Sequence, residues 1–112
     1  MDEWRWMSAA ELGRGIGAGG IDPVDLTEVF LDAIDTHKHR DRIYARVTPD
    51  RARAEAKAAS VRAAAGTRKS LLDGVPISWK DLFDTAGTAT EAGSALLRGR
   101  TPDTDARVLA NA

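Results

Sequence analysis

Apolar positions along this chain fall first at helical spacing and later at strand spacing. Leu12 and Ile16 lie one turn apart, behind Ser8-Ala9-Ala10-Glu11. That tetrad is a capping box, in which the serine oxygen accepts a backbone N–H and the glutamate reaches back. A short helix over residues 9–18 is predicted, weakened by glycines at 13, 15 and 17, each costing ~1 kcal/mol against alanine. Asp22-Pro23 opens a second helix, with aspartate as N-cap and proline at the first position. Thr27, Phe30, Leu31 and Ile34 carry its apolar stripe to about His37. Ile43, Ala45 and Val47 alternate, which predicts a strand over residues 43–47. Thr48-Pro49 starts a third helix that runs to about Ala65 and stops at Gly66. Alanines at 52, 56, 59 and 63 give that helix a smooth face for close packing. A basic linker, residues 67–70, leads to the turn Asp73-Gly74 and a second strand over residues 75–79. Pro76 cannot donate to a ladder, so it belongs at that strand's start or on an edge. A loop of small residues follows, then the short apolar piece Ala95-Leu96-Leu97, and finally a helical pattern over residues 104–112. The order is helix, helix, strand, helix, strand, loop, helix.

Composition narrows the picture. The 112 residues suffice for one small domain, but 20 of the 48 apolar residues are alanine. Alanine buries little area, which argues against a robust stand-alone core. A net charge of −1 gives no basic footprint for nucleic acid. No apolar run approaches the ~18 residues of a membrane span, and Met1-Asp2-Glu3 is acidic where a signal peptide is basic. The absence of cysteine rules out disulfides and thiolate metal sites and suits a reducing cytoplasm. Glycines 15, 17 and 20 imitate a dinucleotide-binding loop, but no strand precedes them and Asp22-Pro23 follows, so they read as a helix fraying into a turn. His37 and His39, two residues apart, do not share a helix face, and no ligand cluster accompanies them, so no metal is expected. With Lys38 and Arg40 they complement the dipole at a helix C-terminus. Arg51, Glu55 and Arg62 read as a solvated face.

One residue carries candidate chemistry. Lys80 ends a mainly apolar strand, just before the small-residue loop. Burial disfavours an ammonium and frees the amine to act as a base. The plainer reading, a strand-capping lysine that reaches water along its stem, is the better supported by these residues alone. Ser78 lies two residues before Lys80, so on a strand both point the same way, ~7 Å apart at the backbone. A Ser–Lys dyad is chemically feasible there.

The stretch from residue 72 to 94 also resembles a known family. Asp73-Gly74-Val75-Pro76-Ile77-Ser78-Trp79-Lys80-Asp81, then Asp84-Thr85-Ala86-Gly87, then Glu91-Ala92-Gly93-Ser94 are similar to the motifs of the amidase signature family. Ala89 and Glu91 stand where that family more often has proline and threonine. The resemblance implies an α/β fold, a mixed and mostly parallel sheet between helices, of which residues 1–112 would be an N-terminal segment. It implies amide-bond hydrolysis by a Ser–cis-Ser–Lys triad, with Lys80 as its base, a small-molecule amide as substrate and no cofactor. In that mechanism the lysine takes a proton from the cis-serine, which takes one from the nucleophilic serine. Ile77 and Trp79 are expected to give Lys80 an apolar setting. The serines present are Ser8, Ser60, Ser70, Ser78 and Ser94, none in a Gly-Ser-Ser-Gly context. The resemblance places the triad serines beyond this point, and Ser94 as a residue that orders the loop or lines the site. Two readings follow: an amidase segment that is inactive alone, or a non-catalytic interaction or oligomerising module with the same ancestry. The final helical pattern reaches Ala112 without a C-cap, which favours the first. Unpaired strand edges make self-association an expectation under either reading.

Overall fold

The computed structural model describes residues 1–112. The chain divides into two compact units, Met1–Ile77 and Ser78–Ala112. The first is helical. A 3-10 helix, Asp2–Trp6, leads to α1, Ala9–Gly17, and the capping box forms as expected. Ser8 Oγ accepts the Glu11 N–H at 3.3 Å, and the Ser8 N–H donates to Glu11 Oε2 at 2.7 Å. Helix α1 runs through its glycines and ends just past them, where the N–H groups of Gly20 and Ile21 both donate to the Gly15 carbonyl. Helix α2, Pro23–Thr36, begins where Asp22 Oδ1 accepts the Val24 N–H at 2.8 Å. A single turn, α3 (Arg40–Ile43), precedes α4, Pro49–Ala65, which Gly66 ends in the left-handed region at φ 69°. No helix is long and apolar enough to cross a membrane.

Helix α2 packs against α4, α3 and the 3-10 helix. The core is small: Leu12, Ile16, Ile21 and Leu26, flanked by Trp4, Met7, Phe30, Ala63 and Val75. Leu26, fully buried at its centre, was not part of the stripe read from the sequence; of that stripe Thr27 is buried and Phe30 borders the core. Ala56 and Ala59 are buried on α4, as the alanine face foresaw. Arg53 of α4 grips Glu28 of α2 with two hydrogen bonds, 2.6 and 3.0 Å.

The α/β sheet expected from the sequence is absent. The only β contact is an isolated bridge between Thr85 and Thr88. A strand exists only through ladder bonds to a neighbour, and the residues that would open each expected strand spend their donors locally. Ile43 closes α3, its N–H bonded to the His39 carbonyl at 3.2 Å, and the Tyr44 N–H goes to Arg40 at 2.9 Å. The Val75 N–H makes a turn bond to Leu72 at 3.0 Å, and Pro76 has none to give. The last helix is also shorter than expected: α5 covers only Arg107–Asn111.

The loop after α4 is tied back onto the helical unit. The Asp73 side chain, 7% exposed, takes both arms of the Arg62 guanidinium, at 2.8 and 2.7 Å, and the Lys69 N–H at 3.0 Å. Arg68 donates to the carbonyls of Leu71 and Asp73 at 2.8 and 3.1 Å. Arg62 is therefore a tether and not the solvated residue its charge pattern suggested. Gly74, at φ 98°, rests on Pro23 and Ile16. On α1, Gly13 leaves just enough room for the Leu71 carbonyl oxygen.

Two outcomes follow from this packing. Gly13→Ala should gain ~1 kcal/mol of helix propensity yet lose more, because the new Cβ overlaps the backbone oxygen of Leu71 and overpacking costs roughly 1–3 kcal/mol. A net fall in melting temperature checks this; a rise would show that the loop shifts freely. The Arg62 guanidinium, aided by the Lys69 amide and opposed by burial, lowers the Asp73 carboxyl from 3.8 to about 2. A carboxyl lowered in the folded state stabilises the fold above its unfolded value and loses that contribution as pH falls through the folded value. The gap in unfolding midpoint between the native chain and Asp73→Asn should thus be constant above pH ~5 and close between pH ~4 and ~2. A gap that does not change with pH would contradict this.

Candidate functional site

The stretch that carries the candidate base crosses from one unit to the next. Residues 71–77 belong to the helical unit, and Lys80 to the second. Of the first part, Asp73 is held by the loop tether, Gly74 is seated on Pro23 and Ile16, and Val75 packs on the apolar core.

In the second unit the Lys80 carbonyl accepts two N–H groups, from Leu82 at 2.7 Å and Phe83 at 3.1 Å. The chain turns sharply here, and the rings of Trp79 and Phe83 meet edge to face at 5.7 Å. The Lys80 side chain is exposed, as are Ile77 and Ser78, while Trp79 is half-buried. The apolar setting expected from Ile77 is not made, because Ile77 itself is 67% exposed. No hydrogen bond joins Ser78 to Lys80, so the structure does not assemble the dyad.

Past the turn, polar contacts take the place of a core. Asp84 binds Arg100 through both carboxylate oxygens, at 2.7 and 2.9 Å. That pairing, helped by the Thr90 hydroxyl, holds the Asp84 carboxyl below its ordinary value. The Asp84 carbonyl accepts the Ala106 N–H at 2.8 Å, and Asp105 accepts the Ala86 N–H at 2.8 Å. Gly87, at φ 75°, donates to the Pro102 carbonyl at 2.9 Å. Asp81 accepts the Glu91 N–H at 3.2 Å, and Glu91 in turn accepts the Gly99 N–H. The Ser94 N–H donates to the Glu91 carbonyl at 2.8 Å. Thr90 is buried inside this network.

The network explains the spacing of the motif. Asp84, Gly87 and Glu91 each bind the segment that returns from residues 99–106, and Asp81 holds the Glu91 backbone. Sequence reasoning missed the partners Arg62, Arg68, Thr90 and Arg100, because each acts on a residue from another turn and nothing local marks it. Near α3, His37 Nδ1 accepts the His39 N–H at 3.1 Å, and no group of three or more candidate ligands gathers that could hold a metal ion.

A sequence model of the Amidase family matches residues 25–111, a span that includes the tethered loop, Lys80 and the Asp84 network. Among curated proteins the chain is similar to a glutamyl-tRNA(Gln) amidotransferase subunit of Anaeromyxobacter dehalogenans strain 2CP-C. The two are 46% identical over 99 residues, which cover 88% of this chain and 20% of that protein. The Rhizobium etli protein of the same name is 39% identical over 111 residues, covering 99% of this chain and 22% of its own length. That of Marinobacter nauticus is 39% identical over 104 residues, covering 93% and 21%. The chain thus spans about a fifth of the length of the curated relatives it matches. No solved structure matches it significantly. With the family match running through most of its length and through every motif residue whose contacts are described above, the chain belongs to the Amidase family.

Proposed function

We propose that this chain is the segment of an amide-cleaving enzyme that supplies its base, Lys80. In the complete site a neutral Lys80 amine takes the proton of a cis-serine as that serine takes the proton of the nucleophile. The nucleophile's oxygen bonds to the amide carbonyl carbon. The C–N bond breaks, the leaving nitrogen receives the proton, and water later cleaves the acyl ester. The observation that carries this reading is that the family match, residues 25–111, contains the whole Gly74–Asp81 motif with its lysine. Lys80 is exposed in this chain, and neither triad serine is assigned on it. The chain alone is therefore read as inactive, with the covering of Lys80 and the serine pair supplied by the remainder of an amidase domain of which it forms an N-terminal segment.

The relatives carry the name of a glutamyl-tRNA(Gln) amidotransferase subunit. By that likeness the complete protein is a subunit of an amidotransferase, and the amide nitrogen passes to an acceptor. The chain's net charge of −1 gives it no footprint for RNA, so contact with tRNA is not placed on these residues.

The purified chain should show no hydrolysis of simple aryl or aliphatic amides above buffer. In a complete relative, alanine at the position of Lys80 should abolish turnover with the unfolding midpoint preserved. Near-normal turnover of that variant would sink the assignment, and activity of the chain alone that disappears in Ser78→Ala would move the chemistry to the dyad. Ile43, Leu71, Leu72, Ile77 and Leu96 all stand exposed, and we read them as faces that associate. Sedimentation should show mass rising with concentration. A monomer with one sharp, concentration-independent melt would favour a self-sufficient, non-catalytic module.

A further inference from the structure

Two carboxylates follow Lys80 on its turn, and both grip the same return segment. Asp81 Oδ1 accepts the Glu91 N–H at 3.2 Å. Asp84 takes both arms of the Arg100 guanidinium, at 2.7 and 2.9 Å, and the hydroxyl of Thr90. Thr90 and Glu91 are neighbours, and the Thr90 N–H donates to the Arg100 carbonyl at 2.9 Å. Thr90 is buried between these partners. The turn is also braced from within. The Lys80 carbonyl accepts the N–H groups of Leu82 and Phe83 at 2.7 and 3.1 Å, and Trp79 meets Phe83 edge to face at 5.7 Å. All of these contacts lie inside the second unit, Ser78–Ala112.

One hydrogen bond lets a turn pivot. Anchors at Asp81 and Asp84, set on adjacent residues of the opposing segment, fix its direction as well. Lys80 stands beside the first anchor and inside the aromatic brace, so its backbone moves with the pair. No hydrogen bond or ion pair holds its exposed amine, and the backbone therefore determines where that amine can reach. Arg100 and Asp84 are only partly buried, so their attraction adds little to stability. Their value is geometric: a planar guanidinium held by both carboxylate oxygens restricts orientation as well as distance, which an ammonium does not do. We propose that Arg100 is a positioning residue for Lys80: through Asp84 it holds the turn 79–84 against Thr90 and Glu91 and so fixes the backbone from which the lysine projects. This rests on Lys80 being the base of the reaction proposed above.

In the 112-residue chain, Arg100→Met should speed exchange of the Leu82, Phe83 and Glu91 amides by about tenfold, with the α1, α2 and α4 amides unchanged within about twofold. Backbone order parameters at residues 80–84 should fall from ~0.85 toward ~0.6. Arg100→Lys, which keeps the charge and loses the fork, should lie between, and it decides the matter should Arg100→Met unfold the second unit outright. No change at residues 80–84, or equal acceleration throughout the chain, would overturn the proposal.

Catalysis is read in a complete relative that carries these residues in exchange for its matching segment. Arg100→Met should lower kcat by about tenfold with KM held within about twofold, as misplacing a catalytic group does, and Arg100→Lys should recover part of the loss. A fall in kcat that only tracks the loss of folded enzyme, or an unchanged kcat despite lost order at residues 80–84, would overturn the positioning role. Full activity of Lys80→Ala in the same protein would remove the base reading, and the positioning role with it, while the exchange and order measurements would still judge the clamp on the turn.

Discussion

The carboxylate of Asp73 is the contact on which the course of the loop after α4 most depends. It is nearly buried, it takes two bonds from Arg62, and it takes a third from the Lys69 amide. A buried charge is tolerable only when such bonds replace its water. The downward displacement of its carboxyl says that here they do so with surplus. Removing one partner would leave the other buried and unpaired, which costs more than the pair contributes. The Asp-Gly turn is therefore held against the helical unit, although its residue types alone mark only a turn.

The two units rely on different physics. The helical unit buries Leu12, Ile16, Ile21 and Leu26 and lets alanines bring α4 close to α2. Its glycines have a second use: Gly13 and Gly15 weaken α1 as a helix but admit the Leu71 carbonyl and the Ile21 side chain. The second unit buries only Thr90 and is organised by carboxylates that accept backbone N–H groups or pair with Arg100. Directional bonds of this kind define loop shape more sharply than they stabilise it, because each net contribution is only ~1 kcal/mol.

For the proposed chemistry the consequence is a division of labour. The motif aspartates and glycines shape the backbone, and the lysine alone is left for proton transfer. Its side chain is exposed here, and the chain spans about a fifth of the length of the relatives it matches.

The local features were legible in the residues. The Ser8 capping box, the Asp22-Pro23 start, the Gly66 stop and the burying face of α4 all depend on neighbours within one or two turns. The motif around Lys80 was legible as well, because its residue types and spacing suffice to mark the family. The strands over residues 43–47 and 75–79 were misread, since alternation states only a preference and a ladder partner has to realise it. Without one, Ile43 closed a helical turn and Val75 turned back to Leu72. Leu26 at the core's centre and the reach of Arg62 to Asp73, Arg68 to Leu71 and Arg100 to Asp84 were decided by tertiary structure alone. Each joins residues whose nearness depends on how the intervening chain folds, and no local pattern encodes that.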